Sequence, residues 1–215
     1  MAPIKFISLE GNVGSGKTTL LAAVKASYPS YRIIEEPVDL WMSLKTESGE
    51  SLLELFYKDK QRWSYTFQYS AFFTRYISSL KAIQAARADP STTPIILLTE
   101  RSILTDKHVF ASMLKDQGFM NKLEWDLYNI WFDNFAKDIQ VDAIVYLETP
   151  PTICTDRIKV RARSGEDNIP LDYLTDLQTY HDQWLGSKLS IPVLRMSNKD
   201  SVDHLRLFIE AIVPA

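Results

Sequence analysis

A glycine-rich segment near the start of this 215-residue chain constrains its fold more than any other feature. Residues 11–18 read Gly-Asn-Val-Gly-Ser-Gly-Lys-Thr, after an apolar run at residues 4–9 and before a helix-like stretch at residues 18–25. This is the spacing of a phosphate-binding loop between a strand and a helix. Its glycines let backbone N–H groups turn towards an anion, and the helix N-terminus adds a favourable dipole. The segment predicts binding of a nucleoside triphosphate, and the complete pattern disfavours a chance glycine turn.

Side chains of the loop suit the same ligand. Lys17 can reach the β- and γ-phosphates, which gives it a catalytic as well as a binding role, and the Thr18 hydroxyl can complete the shell of a Mg²⁺ ion. We expect nucleotide contacts along the whole segment, at Gly11, Asn12, Val13, Gly14, Ser15, Gly16, Lys17, Thr18 and Thr19.

Composition is that of an ordinary globular protein. Hydrophobic residues make up 46% and charged residues 24%, which argues against disorder. The formal net charge is -3, so nothing favours nucleic acid or an anionic membrane as a partner. The one cysteine, Cys154, excludes an internal disulfide and suits a reducing compartment. No sequence segment indicates a signal peptide or a membrane span. We therefore expect a cytoplasmic protein.

Five short apolar runs predict buried strands at residues 4–9, 31–34, 95–99, 143–147 and 192–196. Helical stretches separate them, so the strands form a five-stranded parallel sheet flanked by helices, an α/β fold. The stretch at residues 52–88 predicts helical structure rich in aromatic side chains, which belong to the core or to a subunit interface. In such sheets ligands bind beyond the carboxyl ends of the strands.

Carboxylates and an arginine follow two of these strands. Glu35 and Glu36 stand at the end of the second strand, where a carboxylate can accept the proton of an acceptor hydroxyl. After the third strand, Glu100 is placed to hold Mg²⁺ or its water shell. Arg101 is placed to bond the acceptor, steady the carboxylate or stabilise transferring charge. A solvated turn and an ordinary ion pair are the alternatives, which the phosphate loop disfavours.

Three arginines follow the fourth strand. Arg157 and Arg161 are four residues apart on a predicted helix, and Arg163 lies just beyond them. Such guanidiniums suit bidentate phosphate binding, although a basic helix face is the commoner origin of a charge run. Behind a phosphate loop, the cluster predicts a lid at about residues 157–168 that closes over the phosphates and excludes water.

These motifs occur in order along the chain with Pro37-Val38, Trp41, Tyr57, the segment 62–68 (Arg-Trp-Ser-Tyr-Thr-Phe-Gln) and Ser102. From about residue 4 to residue 185 the chain resembles the deoxyribonucleoside kinase family, and most of all its deoxycytidine/deoxyguanosine/deoxyadenosine kinase branch. The resemblance implies a P-loop kinase fold with an arginine-rich lid, in one domain over residues 1–215.

The resemblance also implies a reaction, the transfer of the γ-phosphoryl group of a nucleoside triphosphate to the 5′-hydroxyl of a deoxynucleoside. Glu36 then matches the general base, Arg101 the arginine beside it and Glu100 the carboxylate at the Mg²⁺ site. Tyr57 and Glu166 match the pair that holds the sugar 3′-hydroxyl. Arg157, Arg161 and Arg163 match the lid arginines. Around the base, the matching residues are Trp41, Phe67, Gln68 and Phe110.

Selectivity for the base is implied by Ala71, Arg75 and Asp106. This set marks the deoxycytidine and purine deoxynucleoside kinases, whereas thymidine-accepting relatives leave room there for the thymine methyl group. An Arg75–Asp106 ion pair would fill that space and offer a charged acceptor to an exocyclic amine. The expected substrates are therefore deoxycytidine, deoxyadenosine or deoxyguanosine, with a thymidine-accepting enzyme as the alternative.

Other implications rest on the same resemblance. ATP is the expected phosphate donor, with another triphosphate as the alternative, and Met196-Ser197-Asn198 lies where the donor base would be held. A homodimer is expected by analogy. The lid has an additional glycine, Gly165, which predicts looser closure.

A thymidylate kinase-like enzyme is less favoured, because the chain offers Glu36 in place of extra basic groups for an acceptor phosphate. A GTP-hydrolysing switch is another alternative, but the chain lacks the Asp-x-x-Gly and Asn-Lys-x-Asp elements that such a switch requires.

Overall fold

A computed structural model describes residues 3–166 and 169–213. Within these ranges five parallel strands form one sheet in the order β2-β3-β1-β4-β5. The strands are β1 (Ile4–Glu10), β2 (Arg32–Ile34), β3 (Ile95–Glu100), β4 (Ala143–Glu148) and β5 (Val193–Ser197). Each predicted strand is present, with its ends displaced by no more than one residue. The predicted five-stranded α/β fold is confirmed.

The connections between strands are largely helical. None of the helices in the described ranges combines the length and the apolarity that crossing a bilayer requires. They are α1 (Lys17–Ser27), α2 (Val38–Ser43), α3 (Leu52–Lys58), α4 (Lys60–Arg87), α5 (Ile103–Thr105), α6 (Ser112–Asp116), α7 (Lys122–Phe135), α8 (Pro151–Arg161), α9 (Leu171–Gly186) and α10 (Val202–Ile212), with a π-helical turn at Asp106–Ala111 and a 3₁₀ turn at Ala136–Asp138.

The aromatic stretch at residues 52–88 is helical but not continuous. Asp59 separates α3 from α4, and its carboxylate accepts a hydrogen bond from the backbone N–H of Arg62 at 3.1 Å. This N-cap satisfies a donor that the first turn of α4 leaves free, so a new helix begins there. Tyr57 on α3 and Gln68 on α4 are thereby carried by two separate helices.

Apolar side chains cover both faces of the sheet. On one face Phe6 and Leu97 pack with α4 and α9, and on the other Ile7 packs with α1 and α10. Strands buried on both faces lack polar alternation, as parallel strands should. The central strand β1 ends at the phosphate loop, and Leu9 pairs with Glu100 across to β3. The loop and the end of β3 therefore lie side by side at the carboxyl edge of the sheet.

Candidate active site

Two cavities meet at the carboxyl edge of the sheet. The first, which we call the aromatic cavity, is lined by every residue that the sequence predicts for the acceptor: Glu36, Trp41, Tyr57, Phe67, Gln68, Ala71, Arg75, Arg101, Asp106, Phe110 and Glu166. The second, the loop cavity, is lined by Gly14, Gly16, Lys17, Thr18, Thr19, the three lid arginines and the segment 196–198. The residues common to both cavities are Gly14, Lys17, Thr18, Glu100, Arg161 and Arg163.

The phosphate loop is held by contacts to its own backbone and to neighbouring elements. Lys17 is buried and donates to the carbonyls of Gly11 at 3.2 Å and Asn12 at 2.9 Å. Burial and the nearby Arg101 lower the pKa of Lys17 to about 8, although three carboxylates oppose this shift. Gly14 has φ +77, and a Cβ there would lie 2.7 Å from the carbonyl oxygen of Cys154. Only glycine fits this part of the loop.

Oxygen atoms suited to Mg²⁺ lie between the two cavities. The Thr18 hydroxyl donates to Glu100 at 2.9 Å, and the Lys17 ammonium lies 3.8 Å from the same carboxylate. The described residues hold no group of three or more His, Cys, Asp or Glu side chains for a metal. Mg²⁺ often binds through one or two protein oxygens together with waters and substrate phosphates. The Thr18–Glu100 pair fits that mode.

Glu36 lies between two arginines. One of its oxygens accepts from Arg101 at 2.6 Å and from Arg75 at 2.7 Å. Burial favours the neutral acid, but Arg101, Arg75 and Lys17 outweigh it and lower the pKa of Glu36 to about 2. The carboxylate is therefore charged at neutral pH. The contact from Arg75, 39 residues away in sequence, was not predicted.

The predicted Arg75–Asp106 ion pair is present, but its N–O distance of 3.6 Å is longer than the 2.7 Å between Arg75 and Glu36. Burial raises the pKa of Asp106 to about 6 against the attraction of Arg75. Within the described part of the chain, Nε and Nη1 of Arg75 and Oδ2 of Asp106 have no hydrogen-bond partner, since the 3.6 Å between Nε and Oδ2 is too long for one. Asp106 begins the π-helical turn, a geometry that is frequent at functional sites.

Aromatic rings surround Gln68. Its side chain is buried, and its Oε1 has no hydrogen-bond partner among the described residues. Phe67 stacks on Phe56 with ring centroids 4.5 Å apart and meets Trp41 edge-on at 5.3 Å. Sequence reasoning did not select Phe56, although its position beside Tyr57 in an aromatic helix was a signal. The cavity thus joins flat apolar walls to an unpaired amide oxygen.

The lid arginines form two groups. Arg157 donates to the Ser15 carbonyl at 2.7 Å and to the Asn198 side chain at 3.1 Å. Arg161 and Arg163 both donate to Glu166, the latter at 3.1 Å. All three line the loop cavity, as the sequence predicts for phosphate ligands. The last two residues of the predicted lid, Asp167 and Asn168, lie outside the described residues.

Gly165 of the lid segment lies close to α3. It has φ +83, and a Cβ there would lie 2.9 Å from Cγ and 3.0 Å from Cα of Glu54 on α3. The adjacent Ser164 hydroxyl donates to the Glu54 carboxylate. This close approach, which only glycine permits, was not predicted, and looser closure of the lid stays a prediction.

Comparison with known proteins decides the family. A family model described as deoxynucleoside kinase matches residues 7–211. The chain belongs to the deoxynucleoside kinase family. This kinase is 36% identical over 200 residues to a probable deoxycytidine kinase of fowlpox virus (strain NVSL), covering 90% of this chain and 78% of that protein. It is 34% identical over 235 residues to the deoxycytidine kinase of Bos taurus, covering 97% and 90% of the two chains.

A third relative of this kinase carries a different substrate in its name. The mitochondrial deoxyguanosine kinase of Xenopus laevis is 28% identical over 230 residues, covering 94% of this chain and 84% of that protein. Family membership makes the chain a phosphotransferase with a deoxynucleoside and a nucleoside triphosphate as substrates, on a P-loop kinase fold. The predicted family, fold and enzyme class are confirmed.

Proposed function

We propose that this kinase transfers the γ-phosphoryl group of ATP to the 5′-hydroxyl of deoxycytidine, deoxyadenosine or deoxyguanosine in nucleotide salvage. The observation that carries the proposal is the junction of the two cavities. Lys17, Thr18 and Glu100 belong to both cavities, and Glu36 lies on the aromatic side of that junction. A donor phosphate in the loop cavity would therefore lie next to an acceptor hydroxyl in the aromatic cavity.

Each catalytic residue has a role in this proposal. Glu36 accepts the proton of the 5′-hydroxyl, and Arg101 holds its carboxylate in place. A carboxylate with a pKa of about 2 is a weak base. In a loose transition state for phosphoryl transfer, orientation of the nucleophile contributes more than strong basicity. Lys17 and the lid arginines Arg157, Arg161 and Arg163 neutralise the transferring charge.

Mg²⁺ would be held by Thr18 and Glu100. Bound there together with donor phosphates, the ion would neutralise charge on the β- and γ-oxygens. The hydrogen bond between the Thr18 hydroxyl and Glu100 keeps two oxygen ligands side by side for this purpose.

The nucleoside side of the proposal uses the unpaired polar atoms of the aromatic cavity. Gln68 would read the base edge between Phe67 and Phe110, with Trp41 and Ala71 completing the walls. Asp106, close to Arg75, would accept from an exocyclic amine, which thymidine lacks. Tyr57 and Glu166 would hold the 3′-hydroxyl, and both line this cavity.

The test is ATP- and Mg²⁺-dependent ADP release with deoxycytidine, deoxyadenosine, deoxyguanosine and thymidine in parallel, and with deoxynucleoside monophosphates as controls. We expect release with one or more of the first three and little with thymidine. Thymidine as the best substrate would contradict the proposed base selectivity. Release only with monophosphates would remove Glu36 from the base role and favour the thymidylate kinase-like alternative.

We propose further that the chain acts as a homodimer in the cytoplasm, with one kinase domain over residues 1–215. On one face of α7, Leu123, Leu127, Ile130 and Trp131 are exposed, with Ile130 55% accessible. Trp131 packs on Phe73 of α4, so the face extends across two helices. An apolar face of this kind favours a partner of like chemistry. Sedimentation analysis should give a dimer, and Ile130→Glu should give a monomer.

A further inference from the structure

A buried carboxylate outside both cavities lies next to the turn that follows β3. Glu10, the last residue of β1, is fully buried. It accepts hydrogen bonds from three hydroxyls, those of Ser8, Ser102 at 3.1 Å and Thr105. In the described ranges no basic side chain forms an ion pair with it. Burying a carboxylate on hydroxyls without a direct ion pair is costly, although the charges of Lys17 and Arg101 are close enough to offset part of that cost.

Two of these hydroxyls belong to the turn that follows β3. Ser102 and Thr105 also contact each other, because the Ser102 N–H donates to the Thr105 hydroxyl at 3.4 Å. Between β3 and this pair lies Arg101, with φ 60, a left-handed conformation that a non-glycine residue seldom adopts. Such strain persists only where the surroundings fix it, and it is frequent at functional sites.

The same turn is tied to the phosphate loop. The Arg101 N–H donates to the Leu9 carbonyl at 3.0 Å, and the Arg101 guanidinium donates to the Gly11 carbonyl at 3.3 Å. Glu10 lies between these two acceptors in sequence. Its carboxylate thus joins the strand that enters the phosphate loop to the turn that follows β3, which begins at Arg101 beside Glu100.

We propose that Glu10 is a positioning residue for phosphoryl transfer. Through Ser102 and Thr105 it fixes the end of β3 and the turn that follows it against the phosphate loop. This keeps Arg101 in contact with Glu36 and Glu100 beside Thr18. This inference rests on the proposed function of those four residues. Glu10 itself touches neither cavity and takes no part in proton transfer.

The chain offers a matched control. Ser8 and Ser102 donate to the same oxygen of Glu10, but Ser8 lies two residues before it on β1. Ser8→Ala removes a hydroxyl from the carboxylate without freeing the turn, whereas Ser102→Ala removes a link between β1 and the turn. Thr105→Val and Thr105→Ser form a second pair, in which only the serine keeps the hydroxyl.

The experiment compares these four variants with the wild type by steady-state kinetics and thermal unfolding. For Ser102→Ala and Thr105→Val we expect kcat to fall by ~10- to 10²-fold, with each KM changed by less than ~3-fold, as for a small misplacement of catalytic groups. For Ser8→Ala and Thr105→Ser we expect kcat to stay within ~2-fold of the wild type. Equal kcat losses for Ser8→Ala and Ser102→Ala would overturn the inference.

A second readout does not depend on turnover. Calorimetry of ATP binding with and without Mg²⁺ reports on the placement of Glu100 beside Thr18. Ser102→Ala should reduce the gain in affinity that Mg²⁺ provides, and Ser8→Ala should retain it. An unchanged gain in both variants would contradict the role given to Glu10. Absence of nucleoside-dependent ADP release from the wild type would contradict the proposed function instead and would leave this binding comparison valid.

Discussion

The two cavities of this kinase are built in different ways. The loop cavity, of about 720 Å³, is formed mainly by residues within the segment 14–23 of the phosphate loop and α1, the lid arginines and residues of the segment 196–202. The aromatic cavity, of about 180 Å³, draws its walls from α2, α3, α4 and the turn after β3. The proposed phosphate site therefore depends mainly on a short local motif, whereas the proposed nucleoside site requires distant segments to meet.

Their polar groups differ in the same way. In the loop cavity Lys17 and Arg157 already donate to backbone carbonyls of the loop. In the aromatic cavity, buried polar atoms of Gln68, Arg75 and Asp106 have no hydrogen-bond partner among the described residues. Unpaired buried polar atoms discriminate strongly, because a ligand that fails to pair them leaves their desolvation uncompensated. We therefore propose that base selectivity resides in the aromatic cavity and phosphate binding in the loop cavity.

The largest effect is expected where the two cavities meet. Glu36→Gln preserves the size of the side chain but removes the base and the charge between Arg75 and Arg101. General-base catalysis typically contributes ~10²–10⁴-fold, so kcat should fall by that order while both KM values change little. The measurement is initial-rate ADP release, with Glu47→Gln as a control, since Glu47 is exposed and lines neither cavity. A fully active Glu36→Gln variant would make Glu36 structural.

The phosphate loop, its Lys17 and Thr18, and the five strands could be predicted because each depends on residues close together in sequence. Glycines, an apolar strand and a helix start occupy a single segment. The acids at the ends of β2 and β3 followed from the rule that ligands bind at the carboxyl edge of a parallel sheet. The acceptor residues were found differently, since they were carried over from the family resemblance.

Contacts between distant segments could not be predicted from the sequence. The hydrogen bond from Arg75 to Glu36 joins α4 to the end of β2, and the sequence favoured Asp106 as the main partner of Arg75. Gly165 approaches Glu54 across 111 residues, so its sequence neighbours gave no indication of a close contact. Glu10 was missed because an acid before a phosphate loop has no assigned role until the Ser102–Thr105 turn is seen against it.

The second prediction concerns the base selectivity of the aromatic cavity. Arg75→Met combined with Asp106→Ala should create room for the thymine methyl group and remove the acceptor for an exocyclic amine. Since Arg75 also holds Glu36, kcat should fall for every nucleoside. The informative quantity is therefore the ratio of kcat/KM for thymidine to that for deoxycytidine, which we expect to rise by ~10²-fold.

Asp106→Ala alone separates the two functions of this cluster, because it leaves Arg75 bonded to Glu36. It should raise the same ratio by a smaller factor and retain more of the wild-type kcat. A ratio that stays unchanged in the double variant would sink the assignment of base selectivity to Arg75 and Asp106.

A third, smaller effect is expected at the contact between the lid segment and α3. In Gly165→Ala the new Cβ meets Cα and Cγ of Glu54 and must also accept a positive φ. The segment should shift away from α3, where Tyr57 lies, and take Glu166 with it. We expect kcat/KM for the nucleoside to fall by ~10-fold, because small displacements of positioning groups are costly.

Gly118→Ala is the matched control for this change. Gly118 has φ +81, close to the +83 of Gly165, but a Cβ there meets nothing within 4 Å. Both variants carry the same backbone strain, so a difference in kinetics isolates the contact with Glu54. Equal kinetics in the two variants would remove the contact from the catalytic cycle.

The smallest effect is a pH dependence confined to the aromatic cavity. Burial raises the pKa of Asp106 to about 6, with Arg75 and Arg101 lowering it and Glu36 and Glu10 raising it. Asp106 is therefore charged above pH 6 and gains a proton below it. The charged form is the better acceptor for an exocyclic amine, so KM for deoxycytidine should rise ~3-fold as pH falls from 7 to 5.5.

Glu36, with a pKa of about 2, stays charged over this window, and kcat should change less than KM. Asp106→Asn cannot titrate there and should bind deoxycytidine more weakly with a flat profile; a wild-type slope in that variant would assign the dependence to another group.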